Sequence, residues 1–209
     1  MTSSREPDRP LDALFEPYAR EIGFMLRDWN DLQEKLADLF QTVLDDKTGI
    51  GRPIWYAVPV DRFQREMLRA AAAHVFSSDS VDDKFILAEI CWVLDSANAL
   101  GPQRDATAHA PVALLLDEPF EFVARHLHGN PMAKKLQGKR LLAEFRLYRE
   151  RARVLHDYAK FIEEYLRLGR GRWTWQKRPA WPSLPPTPAP KSRTEPRKGH
   201  ARPPRPSPA

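Results

Sequence analysis

The sequence has 209 residues, with 33 Lys and Arg against 28 Asp and Glu, 20 Pro, 9 Gly and a single Cys. This length and a hydrophobic content of 42% allow one domain with a real core and an extension. No apolar run approaches the roughly 20 residues of a membrane helix. The N-terminus lacks a signal-peptide pattern, and no glycine-rich nucleotide-binding loop is present. We therefore expect a soluble, cytoplasmic protein without a transmembrane segment or cofactor.

The charge is divided unevenly along the chain. Residues 170–209 contain ten basic residues, one acidic residue and 11 of the prolines, which gives them a net charge of +9. Residues 1–169 carry a net charge of −4. We expect residues 1–10 to be a flexible N-terminus, residues 11–169 to form the folded domain, and residues 170–209 to be a disordered, basic, Trp- and Pro-rich tail.

The first predicted helix has ten apolar positions whose spacings alternate between four and three residues. They are Leu11, Phe15, Tyr18, Ile22, Met25, Trp29, Leu32, Leu36, Leu39 and Val43. This spacing is typical of a helix that packs along another helix at a shallow angle. We expect the helix to end near Asp46. Residues 47–59 contain two Gly and two Pro, so they are predicted to form a loop.

A second helix is predicted to begin at Asp61, with Gln64 completing a capping box. Its expected inward residues are Phe63, Met67, Ala71, His74 and Val75. A third helix, beginning at Asp82 or Asp83, is apolar on nearly all sides, which is typical of the centre of a bundle. We expect it to end at the Gly101-Pro102 pair, where a short helical turn follows and ends by Pro111.

A short helix is predicted for residues 118–128, and a long one carries the last apolar seam. The seam consists of Leu141, Phe145, Tyr148, Ala152, Leu155, Ala159, Ile162 and Leu166, with Gly169 as the stop. Because its spacing matches that of the first helix, we expect the two helices to be antiparallel partners. No alternating β-branched run favours a sheet. The predicted fold is an all-α antiparallel bundle of five or six helices.

The sequence contains no pattern that predicts a metal-binding site or a catalytic Ser/His/Asp triad. His126 and His128 are two residues apart, which would place them about 200° apart on a helix. No CxxC or HExxH motif is present, so we expect no metal site. The acidic pairs Asp45-Asp46 and Asp82-Asp83 lie at predicted helix ends, where capping explains them.

One segment does carry a recognisable pattern: Arg104, Asp105 and, after three residues, His109. It resembles the Arg-polar-x-x-x-His signature of the HEPN superfamily of small helical-bundle domains, and the alanine before the histidine is common there. The likeness would cover about residues 11–168. Other Arg and His residues occur at similar spacings, but only Arg104 is followed by Asp, Asn or His. The alternative interpretation is an exposed Arg104–Asp105 ion pair, with His109 capping the turn before Pro111.

The resemblance implies a metal-independent endoribonuclease and a homodimer in which the motifs of both chains line one cleft. Histidine suits proton transfer to or from ribose oxygens, and arginine suits the charge on the phosphate. Asp105 would orient Arg104 or His109. Such domains occur in toxin–antitoxin and phage-defence systems, where an antitoxin is a possible partner.

The start of the tail contains aromatic and basic residues close together, which is typical of segments that bind single-stranded nucleic acid. The candidate RNA-binding residues are Arg170, Arg172, Trp173, Trp175, Lys177 and Arg178. The tryptophans could equally fold back on an apolar groove of the bundle. A basic cluster on the second helix, Arg62, Arg65 and Arg69, is explained as well by a solvated helix face. The rival function is a non-catalytic helical module whose basic Pro-rich arm binds RNA, membrane lipid or a protein.

Overall fold

The computed structural model describes residues 9–109, 112–115, 121–124, 131–169 and 174–184. Within these ranges the chain forms six helices and one β-hairpin. The elements are α1 (Arg9–Val43), α2 (Gly51–Ala57), α3 (Asp61–Val75), α4 (Val81–His109), β1 (Val112–Leu115), β2 (Glu121–Ala124), α5 (Pro131–Leu136) and α6 (Leu141–Leu168). The predicted all-α bundle is confirmed. None of the described helices combines the length and apolar content needed to cross a membrane.

The two long helices α1 and α6 pack along each other, but they run parallel. The rings of Tyr18 and Phe145 are 5.5 Å apart near their N-terminal ends. Farther along both helices, Lys35 Nζ lies 3.4 Å from a Glu163 carboxylate oxygen. The prediction that they are antiparallel partners is therefore wrong. An alternating four-three seam specifies a shallow crossing angle, but it contains no information about direction.

The helix that runs antiparallel to this pair is α4, at the centre of the bundle. The Tyr158 hydroxyl of α6 donates to a Glu89 carboxylate oxygen at 2.8 Å, whereas Ala106 near the other end of α4 packs with Phe145. The prediction that α4 is buried on nearly all sides is wrong, because its fully buried apolar residues share one face: Ile86, Ile90, Val93, Leu94, Ala97 and Leu100. On its other sides, Phe85 is 43% exposed, and Leu87 and Trp92 are only partly buried.

Helix α4 continues through Gly101 and Pro102 to His109, so the predicted stop is wrong. Pro102 cannot donate the backbone hydrogen bond that a helix normally requires at its position. The continued helix nevertheless buries Ala106 completely, in a second apolar cluster with Leu136, Leu141 and Phe145. Burial of Ala106 and Thr107 in the last two turns of α4 offsets the defect at the proline.

The short helix predicted for residues 118–128 is replaced, over the described residues, by strand β2. It pairs with β1 in antiparallel fashion, with Val112 opposite Ala124. Phe122 of this strand stacks on Tyr18 at 5.1 Å and meets Phe15 edge-on at 5.5 Å. A short apolar run does not distinguish strand from helix by its spacing, and the packing against α1 selects the strand.

Residues 47–59 are not wholly a loop, because α2 lies within them. The Asp46 carboxylate accepts hydrogen bonds from the Thr48 hydroxyl at 2.7 Å and from backbone N–H groups of the following turn, including Gly51 N at 2.6 Å. These bonds lower the pKa of Asp46. Asp46 thus satisfies the first backbone N–H of α2, although the N-cap position itself is Ile50. Trp55 of α2 is buried against Phe40.

Helix α3 begins at Asp61 as predicted, but it buries a different face. Its buried residues are Gln64, Arg65, Leu68 and Ala72, whereas Phe63 is 55% exposed and His74 and Val75 are also exposed. The predicted capping box does not form, because Gln64 Nε2 donates to the carbonyl oxygens of Trp55 and Val58. Of the residues predicted to face inward, Met67 and Ala71 are partly buried and pack against the core, whereas the polar side chains of Gln64 and Arg65 are more fully buried.

Residues 174–184, here called the C-terminal strap, extend along α4 and α6. The Trp175 ring lies 4.7–5.1 Å from those of Phe85, Phe161 and Tyr165, and Arg178 Nε donates to Glu89 at 2.8 Å. The sequence left two interpretations of the tail tryptophans, RNA binding and folding back on the bundle. Trp175 and Trp181 fold back on the bundle, and the Trp181 ring meets Trp92 edge-on. The predicted disordered tail therefore does not include these residues. Residues 185–209 lie outside the described ranges.

A buried ionic cluster joins α1 to α6. Asp28, whose side chain is 2% exposed, receives Arg27 at 2.7 Å, Arg149 at 3.2 Å and Arg153 at 2.9 Å, and Glu21 receives Arg149 at 2.6 Å. Burial raises the pKa of Asp28, but the hydrogen bonds from Arg27 and Arg149 and the charge of Arg153 outweigh it, so the net pKa is lowered. A lowered folded-state pKa means that the cluster stabilises the fold above the unfolded pKa and loses this contribution as pH falls through the folded pKa.

Replacing Asp28 with Asn should therefore destabilise the protein at pH 7 by about 2 kcal/mol, because the arginines lose their buried counter-charge. The difference from wild type should shrink as the pH falls through the lowered folded-state pKa, where wild type also loses the carboxylate charge. Urea unfolding at neutral and acidic pH measures both effects. The matched control is Asp31→Asn, at an exposed acid 4.0 Å from Arg27. An equal loss in both variants would contradict the importance of the buried position.

Replacing Trp175 with Ala should destabilise the protein by about 2 kcal/mol, less than the roughly 3–5 kcal/mol of a fully buried aromatic side chain. The reason is that its ring is half-buried against three aromatic side chains of α4 and α6. Thermal unfolding measures the effect. Lys177→Ala, at an exposed neighbour in the same strap, should change stability by no more than about 0.5 kcal/mol. A Trp175 variant as stable as the lysine variant would show that the strap does not support the bundle.

Candidate functional site

An open groove of about 760 Å³ lies between α3 and the C-terminal half of α4. Four arginines line it, and we call it the arginine groove: Arg62, Arg65, Arg69 and Arg104. Its other lining residues include Asp61, Asn98, Gly101 and Asp105. Two of the three predicted catalytic residues, Arg104 and Asp105, therefore line one concave surface.

Arg104 is held at the groove by two carboxylates and an aromatic ring. Its Nη2 donates to Asp61 at 3.2 Å, and its Nε lies 3.0 Å from an oxygen of Asp105. The Nε–H is not aligned with that oxygen, so this buried nitrogen makes no hydrogen bond to a described residue. The guanidinium lies 5.5 Å from the centre of the Trp29 ring. With 31% of its side chain exposed, Arg104 is accessible from the groove.

Trp29 connects this arginine to the core. Its ring is 1% exposed, and its Nε1 donates to the same Asp61 oxygen that Arg104 contacts, at 3.0 Å. Asp61 begins α3 and does not cap it; its carboxylate instead bonds to α1 and α4. Three helices are joined at this one oxygen atom.

Arg65 lies deepest in the groove. It is 4% exposed, and its Nε donates to Asn98 at 2.7 Å while Nη1 donates to Gln33 at 3.3 Å. Its guanidinium also lies 5.4 Å from the centre of the Trp29 ring. Among the described residues, no carboxylate lies within ion-pair distance of it. Burial lowers the pKa of Arg65, and the neighbouring charge of Asp61 partly opposes this.

The two outer arginines are paired at the rim. Arg62 Nε lies 2.9 Å from Glu66, and Arg69 pairs with Asp95. Both carboxylates are exposed to solvent, at 46% and 69% of their side chains. Such pairs are weak in water, so these arginines can exchange their partners for another anion.

His109, the third predicted catalytic residue, is not brought to the groove. It is the exposed last residue of α4, and it has no hydrogen bond or ion pair to a described residue. Five helical steps place it about 7.5 Å from Arg104 along the axis and roughly 140° around it. A single chain therefore joins Arg104 with Asp105 but leaves the histidine apart.

The predicted RNA-binding residues of the tail have mixed positions. Arg170, Arg172 and Trp173 lie outside the described residues, as do His126 and His128. Trp175 packs on the bundle, and Arg178 is bound to Glu89 and lies 5.6 Å from the Trp92 ring centre. Of the described members of this set, only Lys177 extends into solvent without a partner.

Sequence reasoning missed two residues that shape the site, Arg65 and Asp61. Arg65 belonged to a basic cluster that a solvated helix face explained equally well, and Asp61 matched a helix cap. The available signal was the Arg62, Arg65, Arg69 spacing on one helix, which places a row of guanidinium groups along one side. In the described part of the chain, no group of three or more His, Cys, Asp or Glu residues is arranged to hold a metal ion.

No protein-family model matches the sequence. Comparisons with curated proteins and with solved structures also give no significant match. The likeness to the HEPN superfamily therefore depends on the motif residues alone.

Proposed function

We propose that the protein is a metal-independent endoribonuclease of HEPN type, in which Arg104 and His109 act on the RNA backbone and Asp105 positions Arg104. The observation that supports this most is the place of Arg104. It lines an open groove with three further arginines, although the motif alone left it free to be an isolated surface ion pair. Fixed guanidinium groups suit the charge that develops on a phosphate during cleavage.

The chemistry requires no metal. A histidine takes the proton of a ribose 2′-hydroxyl while that oxygen attacks the adjacent phosphorus. The bond from phosphorus to the 5′-oxygen breaks, and the leaving oxygen takes a proton from a second, protonated histidine. The products are a 2′,3′-cyclic phosphate and a free 5′-hydroxyl. Arg104 stabilises the added negative charge on the phosphate oxygens.

The separation of His109 from the groove favours a homodimer in this proposal. Two copies that meet at the ends of their α4 helices would supply two histidines and two arginines to one cleft. Such a nuclease requires restraint in the cell, which fits a toxin–antitoxin or phage-defence component with an antitoxin as partner.

A second candidate function is a non-catalytic helical module whose basic Pro-rich arm binds RNA, membrane lipid or a protein. Two observations favour it: Arg104 is already faced by Asp61 and Asp105, and His109 lies outside the groove. In that case binding to RNA would weaken with rising salt, and it would not depend on His109.

In the presence of EDTA, wild type should cleave single-stranded RNA, and His109→Ala should reduce the rate by about 100-fold or more. The cause is the loss of the group that transfers protons. Gel analysis of end-labelled RNA measures the rate, and detection of 2′,3′-cyclic ends checks the route. His74→Ala is the matched control, because His74 is an exposed histidine on α3.

Equal cleavage by wild type and the His109 variant, or absence of cleavage by both, would remove the enzymatic proposal. RNA binding that survives in both without cleavage would then favour the non-catalytic module.

Mixing the inactive variants Arg104→Ala and His109→Ala should partly restore cleavage, provided that one cleft takes residues from two chains. In a mixed dimer, one chain keeps the arginine and the other keeps the histidine. This one histidine removes the proton of the 2′-hydroxyl, and water protonates the leaving 5′-oxygen in place of the second histidine, so the restored rate stays below that of wild type. The rate of the mixture is compared with that of each variant alone at the same total concentration. A mixture no more active than its components would contradict a shared cleft.

A further inference from the structure

Arg65 is an unusual buried charge. Ionised side chains are rarely buried without an opposite charge, because leaving water is costly for them. Two buried acids illustrate the rule: Asp28 contacts three arginines, and Glu89 contacts Arg178. Arg65 is equally buried, yet its described hydrogen-bond partners are the neutral side chains of Asn98 and Gln33.

The guanidinium of Arg65 also retains unused donors. Its Nη2 donates no hydrogen bond to a described residue, and it lies beside Gly101, where a side chain would begin 3.9 Å from this nitrogen. Because Arg65 and Gly101 both line the groove, Nη2 is at the floor of an open cavity. A guanidinium stays charged at any ordinary pH, so burial does not neutralise it.

Other unpaired polar atoms gather around the same arginine. Four buried side-chain nitrogen or oxygen atoms of the described residues have no hydrogen-bond partner, and three of them belong to Gln33, Arg104 and Tyr148. Gln33 bonds to Arg65, Arg104 shares the Trp29 ring with it, and the charges of both arginines act on the Tyr148 hydroxyl. Buried polar atoms are normally satisfied, so their concentration beside Arg65 is unusual, and one of them, Arg104 Nε, belongs to a residue that lines the groove.

We propose that the arginine groove binds a phosphate group, with Arg65 Nη2 and the Arg104 guanidinium as its inner donors. Phosphate suits this place because it offers several acceptor oxygens to two forked guanidinium groups. Arg62 and Arg69 can turn from their exposed carboxylates toward the same anion. The phosphate is either part of an RNA backbone or carried by a small molecule. The proposal that the groove holds the RNA substrate rests on the proposed ribonuclease function. The proposal that the groove binds a phosphate group can be tested without measuring cleavage.

The experiment titrates the full chain with inorganic phosphate and, separately, with a single-stranded oligoribonucleotide of about ten nucleotides. The Nε1–H signal of Trp29 in NMR spectra is the local probe, because this indole lies under both guanidinium groups and bonds to Asp61. The melting temperature is the global probe, since a ligand of the folded state raises it with concentration. Using His109→Ala as the background prevents cleavage of the oligoribonucleotide during the titration.

Arg65→Met removes the charge and keeps the length of the side chain, and it should weaken binding at least about tenfold. Asp61→Asn keeps an acceptor for Trp29 while removing the carboxylate that competes for Arg104, and it should tighten binding about threefold. Arg20→Met, at an exposed arginine of α1 paired with Glu16, should leave binding unchanged. Opposite effects of two neutralising changes in one groove are not expected from a merely structural role.

Response to the oligoribonucleotide alone assigns the site to an RNA backbone, and equal response to inorganic phosphate assigns it to a free or small-molecule phosphate. Either result supports the proposal if it is lost with Arg65→Met. Binding that persists in this variant, or no response to either probe, overturns it. If the Arg65→Met variant does not fold, the Asp61→Asn variant tests the proposal instead. An affinity for phosphate and the oligoribonucleotide equal to that of wild type would then overturn the proposed site. Phosphate binding without EDTA-resistant cleavage would reject the ribonuclease and leave the site standing.

Discussion

The indole of Trp29 is the point on which the bundle and its groove both depend. Its ring belongs to α1 and is almost completely buried, its nitrogen donates to Asp61 at the start of α3, and its face lies under Arg104 of α4. Tyr148 of α6 lies 6.2 Å away, centre to centre. All four long helices therefore meet at one rigid aromatic side chain. Because a ring face attracts cations, the same packing contact that orders the helices also holds two guanidinium groups at the groove.

The buried charges at the α1–α6 and α1–α3 interfaces differ in whether they have a partner of opposite charge. Toward α6, Asp28 is surrounded by arginines, and the lowered pKa of its carboxyl records a stabilising pairing. Toward α3, Arg65 is buried against neutral amides and an indole, and its lowered pKa records the cost of burial. A chain under selection for stability alone would gain from an apolar side chain in place of an unpaired buried charge. The contrast is the physical reason to choose the α3–α4 groove, and not the α1–α6 interface, as the candidate functional surface.

The C-terminal strap shows that part of the basic tail packs on the bundle. Arg178 forms an ion pair with Glu89, a buried acid of the central helix, and the Trp175 ring packs next to it on side chains of α4 and α6. This part of the tail therefore completes the bundle. In the proposed function, RNA contacts the arginine groove, which belongs to residues 1–169, whose net charge is −4. The overall charge of the protein would not have indicated that location.

The sequence by itself determined α1 and α6, whose apolar residues follow a regular period, and the apolar segment at the start of α4. It also brought attention to Arg104 and Asp105, which are adjacent in the chain. Only the tertiary structure decided the direction of α6 relative to α1, the strand at Phe122, and the buried face of α3. The groove was hidden for the same reason, since Arg104 meets Asp61 across 43 residues and Arg65 meets Asn98 across 33. Periodicity reports which residues of one helix share a face, but the partners of a buried charge are set by packing between helices.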